Sequence, residues 1–289
     1  MVAPFFPPST SRPALWIGGD DTDELRLARS RLEPTLARWQ APLHTFATPA
    51  EAARAATCDP TTPRLAILAT DHPARWSIDD ALQLSLAWPL MPIVAVASSL
   101  VDGRRRSGPA LPGIEDIAWY DLPGRVETWL VSWEAGRAGT LTTPTTTRRD
   151  ERLLGIMPAD PQEPLTVSVV ASTPMDADGI AALVPVAGGV VTTTRCGRPA
   201  LDEAAAALVW DVGSLTADSL GWLGILAANR PQLAIIVIES FPRGDSVQAA
   251  LDAGAAAVLG KPLSIEALLG SLHRLIPVVD GLGEPRPHC

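Results

Sequence analysis

Short, almost unbroken apolar runs alternate along this chain with segments in which apolar residues return every three or four positions. In the second half the runs fall at residues 165–172, 190–194, 207–211, 234–240 and 256–259. Runs this continuous mark strands covered on both faces, as in a parallel sheet. Between and after them, residues 178–184, 201–206, 218–229, 245–253 and 264–275 carry helical patterns. Ser264 opens the last of these, and Gly254 follows the fourth at a natural left-handed stop. Five strand–helix units in succession predict a doubly wound α/β sheet with helices on both faces.

The first half repeats the alternation less regularly. Candidate strands lie at 14–17, 43–47, 65–69, 93–97 and 116–120, and candidate helices at 23–39, 49–57, 78–88 and 125–134. The fourth connection, with Gly103, Arg104, Arg105, Arg106 and Gly108, reads as a solvated loop. Periodicity stops between about 138 and 164, where threonine, proline and charged residues take over in the manner of a linker. The expected organisation is a structural duplication: a domain at 1–137, a Thr/Pro-rich linker at 138–163 and a second domain with a short tail at 164–289. Each copy has the length of one compact α/β domain.

Composition narrows the function classes. The chain is 47% apolar and 19% charged, enough to fill two cores. Residues 1–137 carry 13 basic and 16 acidic side chains, and 164–289 carry 7 and 12. Neither half offers the clustered cations that bind a phosphate backbone, so no nucleic-acid partner is expected. No apolar run approaches the ~20 residues of a membrane span. The first residues, Met-Val-Ala-Pro-Phe-Phe-Pro-Pro, have no secretory pattern. A cytoplasmic protein without a membrane partner is the expectation. Cys58, Cys196 and Cys289 lie far apart, and His44, His72, His273 and His288 show no ligand spacing, which argues against disulfides and zinc. No nucleophile elbow is present, and no nucleotide-binding pattern follows Gly18-Gly19, so neither enzymatic activity nor a bound cofactor is expected. The apolar bias and nine tryptophans make a homo-oligomer plausible.

Open parallel sheets gather functional groups where strands end, beside the switch point. In the second half those ends carry Ser172 and Thr173, then Asp211, Ser240 and Lys261-Pro262. Lys261 is the only lysine in the chain, against 22 arginines. A compact ammonium on a flexible stem suits close approach to a carboxylate or phosphoryl oxygen. Further marks are Val209-Trp210-Asp211, Asp218, Asn229-Arg230-Pro231, Ser240 after Ile235-Ile236-Val237-Ile238-Glu239, and Ala253-Gly254-Ala255 leading to Leu259-Gly260-Lys261-Pro262. With these elements in this order, residues 165–275 resemble the receiver domain of bacterial two-component response regulators. The resemblance implies a flavodoxin-like fold in which Asp211 accepts a phosphoryl group from a histidine kinase. It further implies that the Ser240 hydroxyl reorients towards that group and that Lys261 pairs with the acyl phosphate. A carboxylate nucleophile with a neighbouring cation is a sound arrangement for phosphoryl transfer.

This sequence also departs from the family. Val170-Ala171-Ser172-Thr173-Pro174 lacks the acidic pair with which the family holds Mg²⁺, so Mg²⁺ is expected only if the phosphoacceptor site functions. Asp176 and Asp178, a little further on, read as helix-capping residues, and Val258 replaces the family's aromatic switch residue. In the first half Asp20, Asp21 and Asp71 are candidates for a shifted metal site, with cap and turn roles as the simpler reading. The lysine position there reads Asp121-Leu122-Pro123. The expected function is a signalling adaptor with two flavodoxin-like, receiver-like domains, the first a degenerate pseudo-receiver. It would act by protein–protein interaction with a histidine kinase or downstream effector, with inefficient phosphoryl acceptance on Asp211. The alternative is a flavodoxin-like small-molecule-binding protein or enzyme with its ligand at the strand rim.

Overall fold

The structure, a computed structural model, describes residues 12–57, 61–101, 111, 113–137, 141 and 165–275. The three-arginine loop, Cys58, Cys289, His288, the tail and all of the expected linker except Leu141 lie outside the described residues. Two compact units divide the chain, residues 1–122 and 123–289.

The first unit holds the strands β1 (Ala14–Ile17), β2 (Leu43–Phe46), β3 (Leu65–Thr70), β4 (Ile93–Ala97) and β5 (Glu115–Ala118), in the order β2-β1-β3-β4-β5. Every neighbouring pair is parallel. The helices α1 (Asp23–Arg38), α2 (Pro49–Ala55) and α3 (Ile78–Ala87) connect them. Each starts where a hydroxyl satisfies an orphan N–H: Thr22 accepts from Leu25, Thr48 from Glu51, and Ser77 from Asp80. Leu15, Ile17, Ala66, Leu68 and Ala95 pack with Ala52, Leu84 and Trp88 from the helices and the turn after α3.

The second unit takes in α4 (Leu122–Glu134) from Pro123 onward and continues through β6 (Leu165–Ala171), α5 (Pro174–Leu183), β7 (Gly189–Cys196), β8 (Ala207–Gly213), α6 (Ala217–Asn229), β9 (Ala234–Glu239), α7 (Gly244–Asp252), β10 (Ala257–Gly260) and α8 (Ile265–His273). Its sheet order is β10-β9-β8-β6-β7, again all parallel. Both units therefore have the flavodoxin-like order 2-1-3-4-5, counting strands from the start of each. On one face of this sheet Val167, Val169, Val209, Ile236, Ile238 and Leu259 pack against Ala177 and Ile180 of α5 and Leu268 and Leu272 of α8.

Two differences from the sequence pattern are informative. Residues 201–206 form turns where the pattern predicts a helix. Six residues give a helix too short to persist without packing, and the buried Ser168 hydroxyl of β6 needs an acceptor. Glu203, from this stretch, is buried and accepts from Ser168 and from Arg195 of β7. The second difference concerns α4, which the pattern reads as the last helix of the first half but which groups with the second unit. Arg125 donates two hydrogen bonds to Glu266 of α8, and the Trp129 indole N–H donates to the other carboxylate oxygen at 3.1 Å. The Thr128 hydroxyl donates to the Glu266 carbonyl at 2.7 Å, and His273 contacts the buried Glu127 at 3.0 Å. Gly124 and Gly270 let the two helix backbones meet, because a Cβ built on Gly270 would fall 1.8 Å from the Gly124 carbonyl oxygen.

Helix α7 stops at Gly254, whose φ of +106° is costly for any residue bearing a Cβ. A Cβ there would also lie 2.4 Å from the Ala227 Cβ on α6. We expect Gly254→Ala to lower stability by about 2–4 kcal/mol, from backbone strain and overlap together. Urea denaturation followed by tryptophan fluorescence measures this, and an unchanged midpoint would contradict the packing described.

Candidate functional site

The winding of the second sheet reverses between the parallel strands β6 and β8, and the crevice outside their carboxyl ends is where groups converge. Asp211 lies near the end of β8 with no exposed side-chain surface. Its Oδ1 accepts from the Gly213 N–H at 3.0 Å, and its Oδ2 lies 2.6 Å from the Lys261 ammonium. Lys261 follows β10 on the far side of β9, so only a long side chain reaches across; its backbone N–H is anchored on the Glu239 carbonyl at 3.0 Å. Asp176 joins from the first turn of α5. One of its oxygens accepts from the Thr173 hydroxyl, completing the N-cap, and the other lies 3.9 Å from the ammonium. The structure thus brings Asp211 and Lys261 together and adds Asp176.

Ser240 shares this edge through its backbone, donating its N–H to the Gly213 carbonyl at 2.6 Å. Among the described residues its hydroxyl makes no hydrogen bond to Asp211 or Lys261. Asp176 and Asp211 are oxygen donors of the kind Mg²⁺ takes, but the ion also needs an open position beside them. Here an ammonium fills the place between the two carboxylates. Among the described residues no group of three or more His, Cys, Asp or Glu is placed to hold a metal ion.

Sequence reasoning missed Glu239, the buried carboxylate that ends β9. Its Oε2 accepts from the Ser246 hydroxyl at 2.9 Å, and its Oε1 receives the Leu215 N–H at 3.4 Å. It ties the loop after β8 to the start of α7. Burial raises its pKa above the ordinary value, against the pull of the two hydrogen bonds. The signal in the sequence is an acidic residue directly after four aliphatic ones, Ile235 to Ile238.

In the first unit the corresponding edge carries a half-buried aromatic ring. Trp76 donates its indole N–H to the Ala69 carbonyl at 2.9 Å and lies over Gly18, where a Cβ would meet the ring at 3.0 Å. The turn through Ala74, at φ +61°, brings the chain back to this position. Asp20 pairs with Arg29 at 2.6 Å, while Asp71 lies 2.8 Å from His72 and 3.8 Å from Arg75, whose guanidinium sits over Trp76. Asp21 is exposed. The three aspartates are thus not assembled into one site. Sequence alone gave no reason to place Trp76 here rather than in the core.

Two outcomes follow. Lys261→Met strips the buried Asp211 carboxylate of its cation, and we expect a loss of about 2–4 kcal/mol in urea unfolding at neutral pH. The Asp211→Asn/Lys261→Met double variant should recover most of that loss, and a Lys261→Met variant as stable as the parent would show the pair to be idle. For Glu239, a raised folded-state pKa means that the folded protein holds this proton where the unfolded chain has released it. The stability this gives is complete below the ordinary value of 4.5 and is lost as pH rises through the folded value. The stability of Glu239→Gln relative to the parent should therefore improve between pH 4 and pH 7, and a constant difference would remove the burial argument.

No protein-family model matches the chain, and no curated protein matches it. Among solved structures it is similar to a pilus assembly-related protein from Burkholderia pseudomallei, at 26% identity over 38% of this chain and 88% of that one, with a TM-score of 0.36. It is similar to a response regulator from Thermotoga maritima, at 18% identity over 39% of this chain and 98% of that one, with a TM-score of 0.35. A CheY-like protein from Pseudomonas aeruginosa shares 23% identity over 39% of this chain and 99% of its own, with a TM-score of 0.32.

Proposed function

We propose that the protein is a signal-transduction adaptor of the response-regulator type, in which two receiver-like units work through protein–protein contacts. The observation that carries this reading is the Asp211–Lys261 ion pair at the switch-point edge. A phosphoryl acceptor needs a carboxylate oxygen in line with the donor and cations for the equatorial oxygens. Asp211 and Lys261 are the residue types for that task, and they stand at the place in the fold where such chemistry is done. Both Asp211 oxygens are engaged, however, and the Lys261 ammonium stands where a metal ion would meet the carboxylate. Acceptance on Asp211 is therefore slow at best, and the second unit serves as a docking module held in one state by its own lysine. The first unit, with Trp76 over Gly18, is a docking module without an acceptor. The partners are signalling proteins, a histidine kinase or a downstream effector.

The test is an amide NMR titration of the deuterated full chain, first with Mg²⁺ and then with beryllium fluoride, which imitates a phosphoryl group on aspartate. We expect the resonances of Asp211, Ser240 and Lys261 to stay in place at saturating concentrations of both. Saturable shifts at those residues, abolished by Asp211→Asn, would overturn the fixed-state reading and make the second unit a working phospho-switch.

A further inference from the structure

Helix α3 presents to solvent the side chains that an amphipathic helix normally buries. Ile78 is 55% exposed, Leu82 51% and Leu86 81%, and Leu90, in the turn just past the helix, is 91% exposed. The spacing of four places the three helical residues in one i±4n ridge, while Leu84 on the other side enters the core. This is one contiguous row rather than scattered surface leucines, which need no explanation. Charge is absent from the row as well: after Asp79 and Asp80 in the first turn, the sequence carries no Asp, Glu, Lys or Arg until Asp102. The Asp80 carboxylate is already spent on Ser77 in the capping box.

We propose that this ridge is a homodimer interface, in which α3 of one protomer packs antiparallel against α3 of a second copy about a two-fold axis. Self-complementarity is the argument. Two i±4n ridges interdigitate in the commonest helix-packing class, and a two-fold axis sets the same ridge against itself. Antiparallel pairing sends the two acidic N-terminal turns to opposite ends, so that each meets the uncharged end of its partner helix and no like charges face each other. The exposed parts of the four side chains amount to between two and three whole residues, within the size class of the largest apolar patches on monomers, roughly 300–600 Å². Doubled across the axis, that reaches the low end of specific interfaces, below about 1,200 Å². A weak, concentration-dependent dimer follows. The row itself offers a partner no charge to read.

The experiment is sedimentation velocity on the full chain from low to high micromolar concentration. The weight-average mass should rise from one protomer towards two. Leu82→Glu/Leu86→Glu should hold it at one protomer throughout, with unchanged circular dichroism and thermal midpoint. The milder Leu86→Ser/Leu90→Ser variant, whose positions are the most exposed of the row, should weaken association at least tenfold. Ile225→Glu, an equally apolar-to-acidic change on exposed α6, should leave the dimer intact. A parent chain that stays monomeric over the range would mean that the ridge meets another molecule or another part of this chain, and overturns the proposal. A dimer that survives the α3 substitutions overturns it equally.

Discussion

A carboxylate with no exposed surface at the end of a strand needs a cation and a hydrogen-bond donor to replace the water it has lost. Asp211 has both, the ammonium of Lys261 and the N–H of Gly213. This requirement fixes more than one contact. It sets where β10 must end relative to β8 across the intervening β9, and it holds the loop after β8, where Gly213 at φ +68° turns the N–H back towards the carboxylate. The same lysine closes the gap to Asp176 at the start of α5. Three connections that are far apart in sequence are thereby held at one edge.

The two units solve the same topological problem with different chemistry. Doubly wound sheets of this order leave a crevice at the switch point. In the second unit the crevice holds a charged cluster. In the first it holds an indole, tied to the Ala69 carbonyl and fitted over a glycine. Asp20 at that edge pairs with Arg29, and Asp71 with His72 and Arg75. The ring is half-buried and packs against the edge of the core, so this edge carries packing where the second unit carries charge.

Buried polar residues elsewhere follow the same rule of compensation. Glu203 takes the place of a covering helix and supplies the acceptor that Ser168 requires. Glu266 is enclosed between α8 and α4, but Arg125 and the Trp129 indole saturate its oxygens. Glu239 is met by the Ser246 hydroxyl and the Leu215 N–H, and burial raises its pKa against their pull.

The sequence by itself determined the central strands and most of the helices, because a strand covered on both faces must be apolar at every position and most of these helix starts use a hydroxyl for a free N–H group. The runs at 14–17 and 93–97 coincide with β1 and β4, and Ser264 caps α8. It also brought Asp211 and Lys261 into view, since a lone lysine among arginines at a strand end is a local signal. Tertiary structure alone decided the rest. Whether Asp20, Asp21 and Asp71 face one another, which arginine each aspartate finds, that Trp76 comes to rest over Gly18, and that α4 groups with the second unit are matters of distance between residues remote in sequence. Residue type and spacing carry no record of such distances, because they arise only when the sheet has closed and the loops have found their partners.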